Sequence, residues 1–153
     1  MVCLLAACAK GPDVAPVTAA DVLGKVRASG AKVALVNVYA TWCEPCRAEF
    51  PDLVRLEREY RGRGLKLVFV SVDDESNLPA VKRFLADSGV DFPSCLKSQK
   101  DMEFINGLEP RWDGSVPATL LYDGAGRQRD FWVGATGYEK LEKKIKSILE
   151  EKP

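Results

Sequence analysis

The stretch KVALVNVYA (Lys32–Ala40) constrains this chain more than any other: it is an almost unbroken apolar run, rich in β-branched residues. A strand with one face in water alternates apolar and polar positions. A run apolar at successive positions reads as a strand buried on both faces, the pattern of a parallel sheet with helices on either side. The flanking segments agree. TAADVLGKVRASG before it offers Thr18 as an N-cap, an apolar face of Val22, Leu23 and Val26, and Gly30 as a stop. After it, Phe50, Leu53, Val54, Leu56 and Tyr60 mark one face of a charged helix that ends near Gly62 and Gly64. Pro51 within that helix implies a kink.

The alternation continues. LKLVFVSV is a second apolar strand, and NLPAVKRFLADSG carries Leu78, Val81, Phe84 and Leu85 at helical spacing before Gly89. VDFPSCLKS reads as a short strand or extended passage, and Asp101 to Leu108 as a short helix. PATLLYD and RQRDFWVGA are two strands joined by a glycine-containing hairpin turn, and GYEKLEKKIKSILEE is a closing helix with a solvated charged face. Together these predict an α/β fold, a central mixed β-sheet flanked by helices that ends in a β-hairpin and a helix.

The chain has 153 residues, near the usual size of one domain. Its 22 Lys and Arg balance 22 Asp and Glu, so net charge argues for no nucleic-acid surface. Histidine is absent, which removes the commonest general base and metal ligand. At the amino terminus, LAAC (Leu5–Cys8) has the form of a lipobox, in which Cys8 carries a lipid anchor. The apolar run before it is shorter than an ordinary signal core, and a frayed chain end is the alternative reading. No stretch approaches the 18 apolar residues of a membrane span. KGPDVAPV (Lys10–Val17) suits an extended tether, so residues 1–17 are expected to be signal remnant and tether, and residues 18–153 the domain.

The chemistry lies in ATWCEPCRAEFP, at the carboxyl end of the first apolar strand. In an α/β sheet that edge is where sites are usually kept. A structural zinc needs four ligands, and no second cysteine pair or histidine supplies them. A c-type haem needs CxxCH, but Arg47 follows Cys46. A structural disulfide between cysteines three apart closes too small a ring to restrict the unfolded chain much. A redox-active dithiol remains.

The helix that begins here gives the two sulfurs different roles. Cys43 sits at the first turn, where free N–H groups and the positive end of the dipole favour a thiolate, so it is the expected nucleophile. Pro45 falls where a missing N–H costs nothing and stiffens the ring. Cys46, one turn further in and more shielded, is the expected resolving cysteine. Cys95 reads as a buried, inert thiol. Asp73, Asp74 and Glu75 lack a calcium-loop pattern and read as a solvated acidic loop, so no metal or cofactor is expected.

These residues resemble the thioredoxin superfamily, and within it the membrane-anchored, extracytoplasmic TlpA/ResA-like thiol–disulfide oxidoreductases. The resemblance rests on WCEPC, on RAEFP after it, and on SVPATLLYD, which is similar to the family's cis-proline loop. It implies that Pro117 is cis and faces the cysteines, and that the Val116 backbone offers strand-like hydrogen bonds to an extended substrate segment. It further implies that Glu49, one turn past Cys46, manages the buried thiol's proton; an exposed helix carboxylate is the competing reading. Trp42 either walls the site or packs in the core. Glu44 places a negative charge beside Cys43 and opposes the helix's stabilisation of the thiolate, which argues for a reducing couple.

The family implies a disulfide-bearing protein substrate, such as apocytochrome c or another envelope protein, and a membrane thiol–disulfide electron donor. It places the chain outside the cytoplasm, with a lipid anchor as its only membrane contact. Two other readings stay open: a disulfide oxidase or isomerase, and a tethered non-catalytic binding module. A peroxidase reading lacks the Pro-x-x-x-Thr-x-x-Cys segment.

Overall fold

The computed structural model describes residues 11–152. Cys8 and the LAAC segment lie outside the described residues. The elements in chain order are β1 (Val14–Val17), α1 (Ala19–Ala28), β2 (Val33–Tyr39), α2 (Glu44–Tyr60), β3 (Leu65–Ser71), α3 (Leu78–Asp87) and β4 (Ser94–Lys97). They continue with α4 (Asp101–Leu108), β5 (Ala118–Asp123), β6 (Gln128–Val133) and α5 (Tyr138–Leu149). The strands form one sheet in the order β1-β4-β3-β2-β5-β6. β1, β4, β3 and β2 run parallel, and β5 and β6 pair antiparallel. The predicted mixed α/β architecture is the observed one.

β2 is central because six of its seven side chains are built largely of hydrocarbon, and all seven are buried. Val33, Leu35 and Tyr39 pack beneath α2, α3 and α5, whereas Ala34, Val36 and Val38 pack with α1 and α4 on the other face. On the first face Phe50 of α2 stacks on Phe69 of β3 with centroids 4.2 Å apart, and Tyr39 meets Phe50 edge-on at 5.0 Å. Burying each such side chain stabilises by roughly 1.5–3 kcal/mol, so this face holds α2 against the sheet.

Local signals set the element ends. Thr18 Oγ1 accepts the Asp21 N–H at 3.2 Å while the Thr18 N–H donates to Asp21 Oδ2 at 2.8 Å, a reciprocal cap that starts α1. Gly64, at φ +105°, lets the chain turn from α2 into β3, and its carbonyl accepts the N–H groups of Lys32 and Val33. α2 runs through Pro51 as one helix.

One boundary differs from expectation. The Lys10–Val17 stretch was expected as a tether, yet Val14–Val17 forms β1 and pairs in parallel with Ser94–Lys97. The segment is extended, as its prolines favour, and at the sheet edge Pro16 needs no second ladder partner. Val17 is buried there. No helix among the described residues is long and apolar enough to cross a membrane.

Candidate active site

β2 ends at Tyr39, and after four intervening residues the chain enters α2 at the carboxyl edge of the parallel strands. Cys43 is the N-cap of α2, with extended backbone, and its sulfur accepts the Cys46 N–H at 3.3 Å. Capping thus satisfies one of the free N–H groups of the first turn with sulfur. Glu44 and Pro45 follow in that turn, both exposed. Cys43 and Cys46 are joined as a disulfide, their Cα atoms 5.3 Å apart.

The two cysteines are unequally covered. Cys46 is fully enclosed at 0 % exposure, and Cys43 keeps 5 %, a narrower opening than a surface nucleophile would have. The loop before β5 lies against Cys43. There the Val116–Pro117 peptide is cis, and the Val116 carbonyl oxygen lies 3.5 Å from the Cys43 sulfur. Sequence places these segments more than seventy residues apart, and the antiparallel pairing of β5 with β2 brings them together.

Trp42 is 71 % exposed, so it takes no part in the core. Two clefts meet at its ring. One, of about 300 Å³, is lined by Val72, Phe104, Ile105, Trp112 and Val116, and the other, of about 510 Å³, by Arg47, Asn77, Arg83 and Phe84.

Glu49 is buried, at 4 % exposure, and the exposed-carboxylate reading does not hold. Its Oε1 accepts from Asn37 Nδ2 at 2.9 Å and its Oε2 from the Thr136 N–H at 2.9 Å. Burial raises the pKa of this carboxyl above its ordinary 4.5; the two hydrogen bonds oppose that rise and the Asp52 charge adds to it. A buried carboxyl with a raised pKa is therefore held on the helix that the cysteine pair opens.

Two anchors escaped the sequence reading. Asp73 is buried, contrary to the solvated loop expected of Asp73, Asp74 and Glu75, and only its two neighbours are exposed. It accepts from the Thr41 N–H at 2.9 Å, the Thr41 hydroxyl at 2.6 Å, the Ser71 hydroxyl at 2.6 Å and Asn77 Nδ2 at 2.7 Å. Burial works to raise its pKa, but these four donors outweigh it and hold the carboxyl below its ordinary 3.8. The second anchor is Trp112, whose indole N–H donates to the Ser115 carbonyl at 2.8 Å and fixes the loop ahead of Val116. The turn-forming WDGS (Trp112–Ser115) was the available signal for it.

Cys95 lies on β4, in the apolar layer beneath α1 and α4, and burial pushes its thiol pKa up while Lys25 and Lys66 oppose. Among the described residues no group of three or more His, Cys, Asp or Glu side chains could hold a metal.

The AhpC/TSA family model matches residues 7–129. Thiol-disulfide oxidoreductase ResA of Bacillus thuringiensis (strain Al Hakam) is 28 % identical over 117 residues, covering 76 % of this chain and 64 % of the relative. ResA of Bacillus subtilis (strain 168) is 31 % identical over 96 residues, covering 63 % and 50 %. The chain thus spans between half and two thirds of these curated relatives. Among solved structures, a thiol:disulfide interchange protein of the thioredoxin family from Chlorobium tepidum TLS superposes with a TM-score of 0.69 at 28 % identity, over 90 % of this chain and 97 % of that one. The fold is thioredoxin-like.

Proposed function

The chain belongs to the AhpC/TSA family, and on that footing we propose that it is a thiol–disulfide oxidoreductase working through Cys43 and Cys46. The observation that carries this reading is the Cys43–Cys46 bond at the opening turn of α2, with the sulfur of Cys43, the less buried residue of the two, 3.5 Å from the Val116 carbonyl. In the reduced protein the Cys43 thiolate attacks one sulfur of a substrate disulfide. That S–S bond breaks, a mixed disulfide forms, and the far substrate sulfur leaves as a thiolate and takes a proton from water. Cys46, deprotonated, then attacks the Cys43 sulfur. The mixed disulfide breaks, the Cys43–Cys46 bond forms, and the second substrate sulfur is released. The substrate gains two electrons and this chain loses two.

Each side chain near the pair has a part in this scheme. Glu49 accepts the Cys46 proton and returns it when the pair is re-reduced. The Val116 and Pro117 loop lays the substrate backbone alongside Cys43, and Trp42, Glu44 and Pro45 form the rim that the substrate meets. Glu44 disfavours the thiolate beside it, which supports the reducing direction. The substrate class is disulfide-bearing envelope protein, apocytochrome c among the candidates. The donor is a dithiol at the membrane, and the chain works outside the cytoplasm, tethered through Cys8.

Trapping tests the assignment. Cys46→Ala leaves the mixed disulfide on Cys43 unresolved, so covalent adducts should accumulate and name the substrate. If Cys46→Ala traps nothing and Cys43→Ser reduces a model disulfide as fast as the unaltered chain, the redox reading fails. A Cys43–Cys46 potential measured against glutathione decides the direction.

A further inference from the structure

β2 is apolar at six of its seven positions, and the exception is Asn37, which is completely buried. A buried amide in an otherwise apolar strand costs folding free energy unless its four hydrogen-bonding positions are used. Here they are used unequally. Nδ2 donates to Glu49 Oε1 at 2.9 Å and to Thr119 Oγ1, on the neighbouring strand β5, at 3.1 Å. Oδ1 is buried and meets no donor among the described residues. Leucine or valine at this place would fit the pattern of the strand, so the amide calls for an explanation.

The partners of Glu49 supply one. Each oxygen of its carboxylate faces an N–H donor, Oε1 the Asn37 amide and Oε2 the Thr136 backbone. That arrangement suits the ionised group. Once the carboxyl carries a proton, its O–H needs an acceptor, and a backbone N–H cannot become one. The Asn37 amide can. A half-turn about its terminal bond puts Oδ1 where Nδ2 stood, ready to accept from the Glu49 O–H. The Thr119 hydroxyl, which both donates and accepts, then reverses its own bond to match. No bond to Oδ1 holds the amide in its present orientation.

We propose that Asn37 is the positioning residue for Glu49, holding its carboxylate as a donor and reversing its amide to accept from the protonated form. This rests on the proton-exchanging part given to Glu49 above. The other groups around Glu49 cannot take this part. β5 contributes Thr119 and the loop before α5 contributes Thr136, neither of which titrates. On α2 itself Asp52 adds its negative charge, and the two cysteines titrate only when reduced.

The test is carbon-13 NMR titration of the Glu49 carboxyl in the oxidised full chain, comparing the unaltered protein with Asn37→Leu and Asn37→Ser. In the unaltered chain the Asn37 side-chain amide signals should move with the same midpoint as the carboxyl. In Asn37→Leu both forms of Glu49 lose their bond to Asn37, but the bond to the charged carboxylate is the stronger of the two, so the midpoint should rise by about one pH unit. In Asn37→Ser, where a hydroxyl can reverse as the amide does, the rise should be smaller. If Asn37→Leu folds and the midpoint stays, or if Asn37→Leu does not fold and Asn37→Ser leaves the midpoint in place, the proposal is overturned. An amide that does not respond to the Glu49 titration overturns the reversal.

The cysteine couple reads the other reading separately. Suppose the Glu49 midpoint moves in Asn37→Leu while the pH dependence of the Cys43–Cys46 potential is the same in Asn37→Leu and in Glu49→Gln as in the unaltered chain. Asn37 then positions Glu49, and Glu49 has no part in the redox step.

Discussion

The Asp73 carboxylate, two residues past the end of β3, holds Thr41 by both its backbone N–H and its hydroxyl, at 2.9 and 2.6 Å. Thr41 lies two residues before Cys43, so a buried anion in the loop after β3 sets where the chain leaving β2 delivers the sulfur. Ser71 and Asn77 complete its four donors. Removing it takes the charged acceptor from all of them, in a partly buried setting.

Asp73→Ala should therefore lower the unfolding free energy by about 2–3 kcal/mol at neutral pH, the range for a hydrogen-bonded buried charge, and slow disulfide exchange. Because its pKa is depressed on folding, the Asp73 contribution is present above its ordinary 3.8 and is lost as pH falls through the lower folded value. Urea unfolding at pH 7 and at pH 3 checks this: the deficit of the variant should shrink at the acid pH.

Glu49 behaves in the opposite sense. Its folded pKa is raised, so the stability it contributes is full below the ordinary 4.5 and is lost as pH rises through the folded value. Measured on the oxidised protein, the stability difference between the unaltered chain and Glu49→Gln should change with pH above 4.5, a window separate from that of Asp73. A flat difference across that range would contradict the buried, pKa-raised carboxyl.

Trp42 separates binding from folding. With its ring exposed, Trp42→Ala should change stability by less than about 0.5 kcal/mol. Loss of the wall between the two clefts should reduce the rate of protein-disulfide exchange roughly tenfold, about 1.4 kcal/mol, with a smaller effect on a small-molecule disulfide. Stopped-flow exchange with both substrates distinguishes the outcomes.

Phe50 ties the helix of the cysteines to the sheet through its stack on Phe69. Phe50→Ala should cost about 3–5 kcal/mol, read from chemical denaturation. An effect near zero would mean that α2 is held by something other than this face.

Glu44 tests the direction of electron flow. Glu44→Gln removes the charge next to Cys43, stabilises the thiolate and should raise the potential of the couple by about 30 mV, a tenfold change in the equilibrium constant. Equilibration with glutathione measures it, and a fall in potential would overturn the electrostatic argument.

Much of this protein is written in local patterns, because those patterns act over a few residues. The apolar run of β2, the Thr18 cap, the alternation of strands and helices, and a cysteine pair at a helix start all follow from spacing and backbone chemistry. Long-range pairing decided the rest. A proline-containing stretch that could have been a tether became β1 because Ser94–Lys97 offered it a free edge. Asp73 was drawn into the interior while Asp74 and Glu75 stayed in water, because donors from Thr41, Ser71 and Asn77 converge on it alone. Helical spacing allowed Glu49 to be buried or exposed, and Asn37 of β2 with the Thr136 backbone settled it. Burial of a polar group depends on which distant partners the fold brings to it, and no local pattern of residues records that.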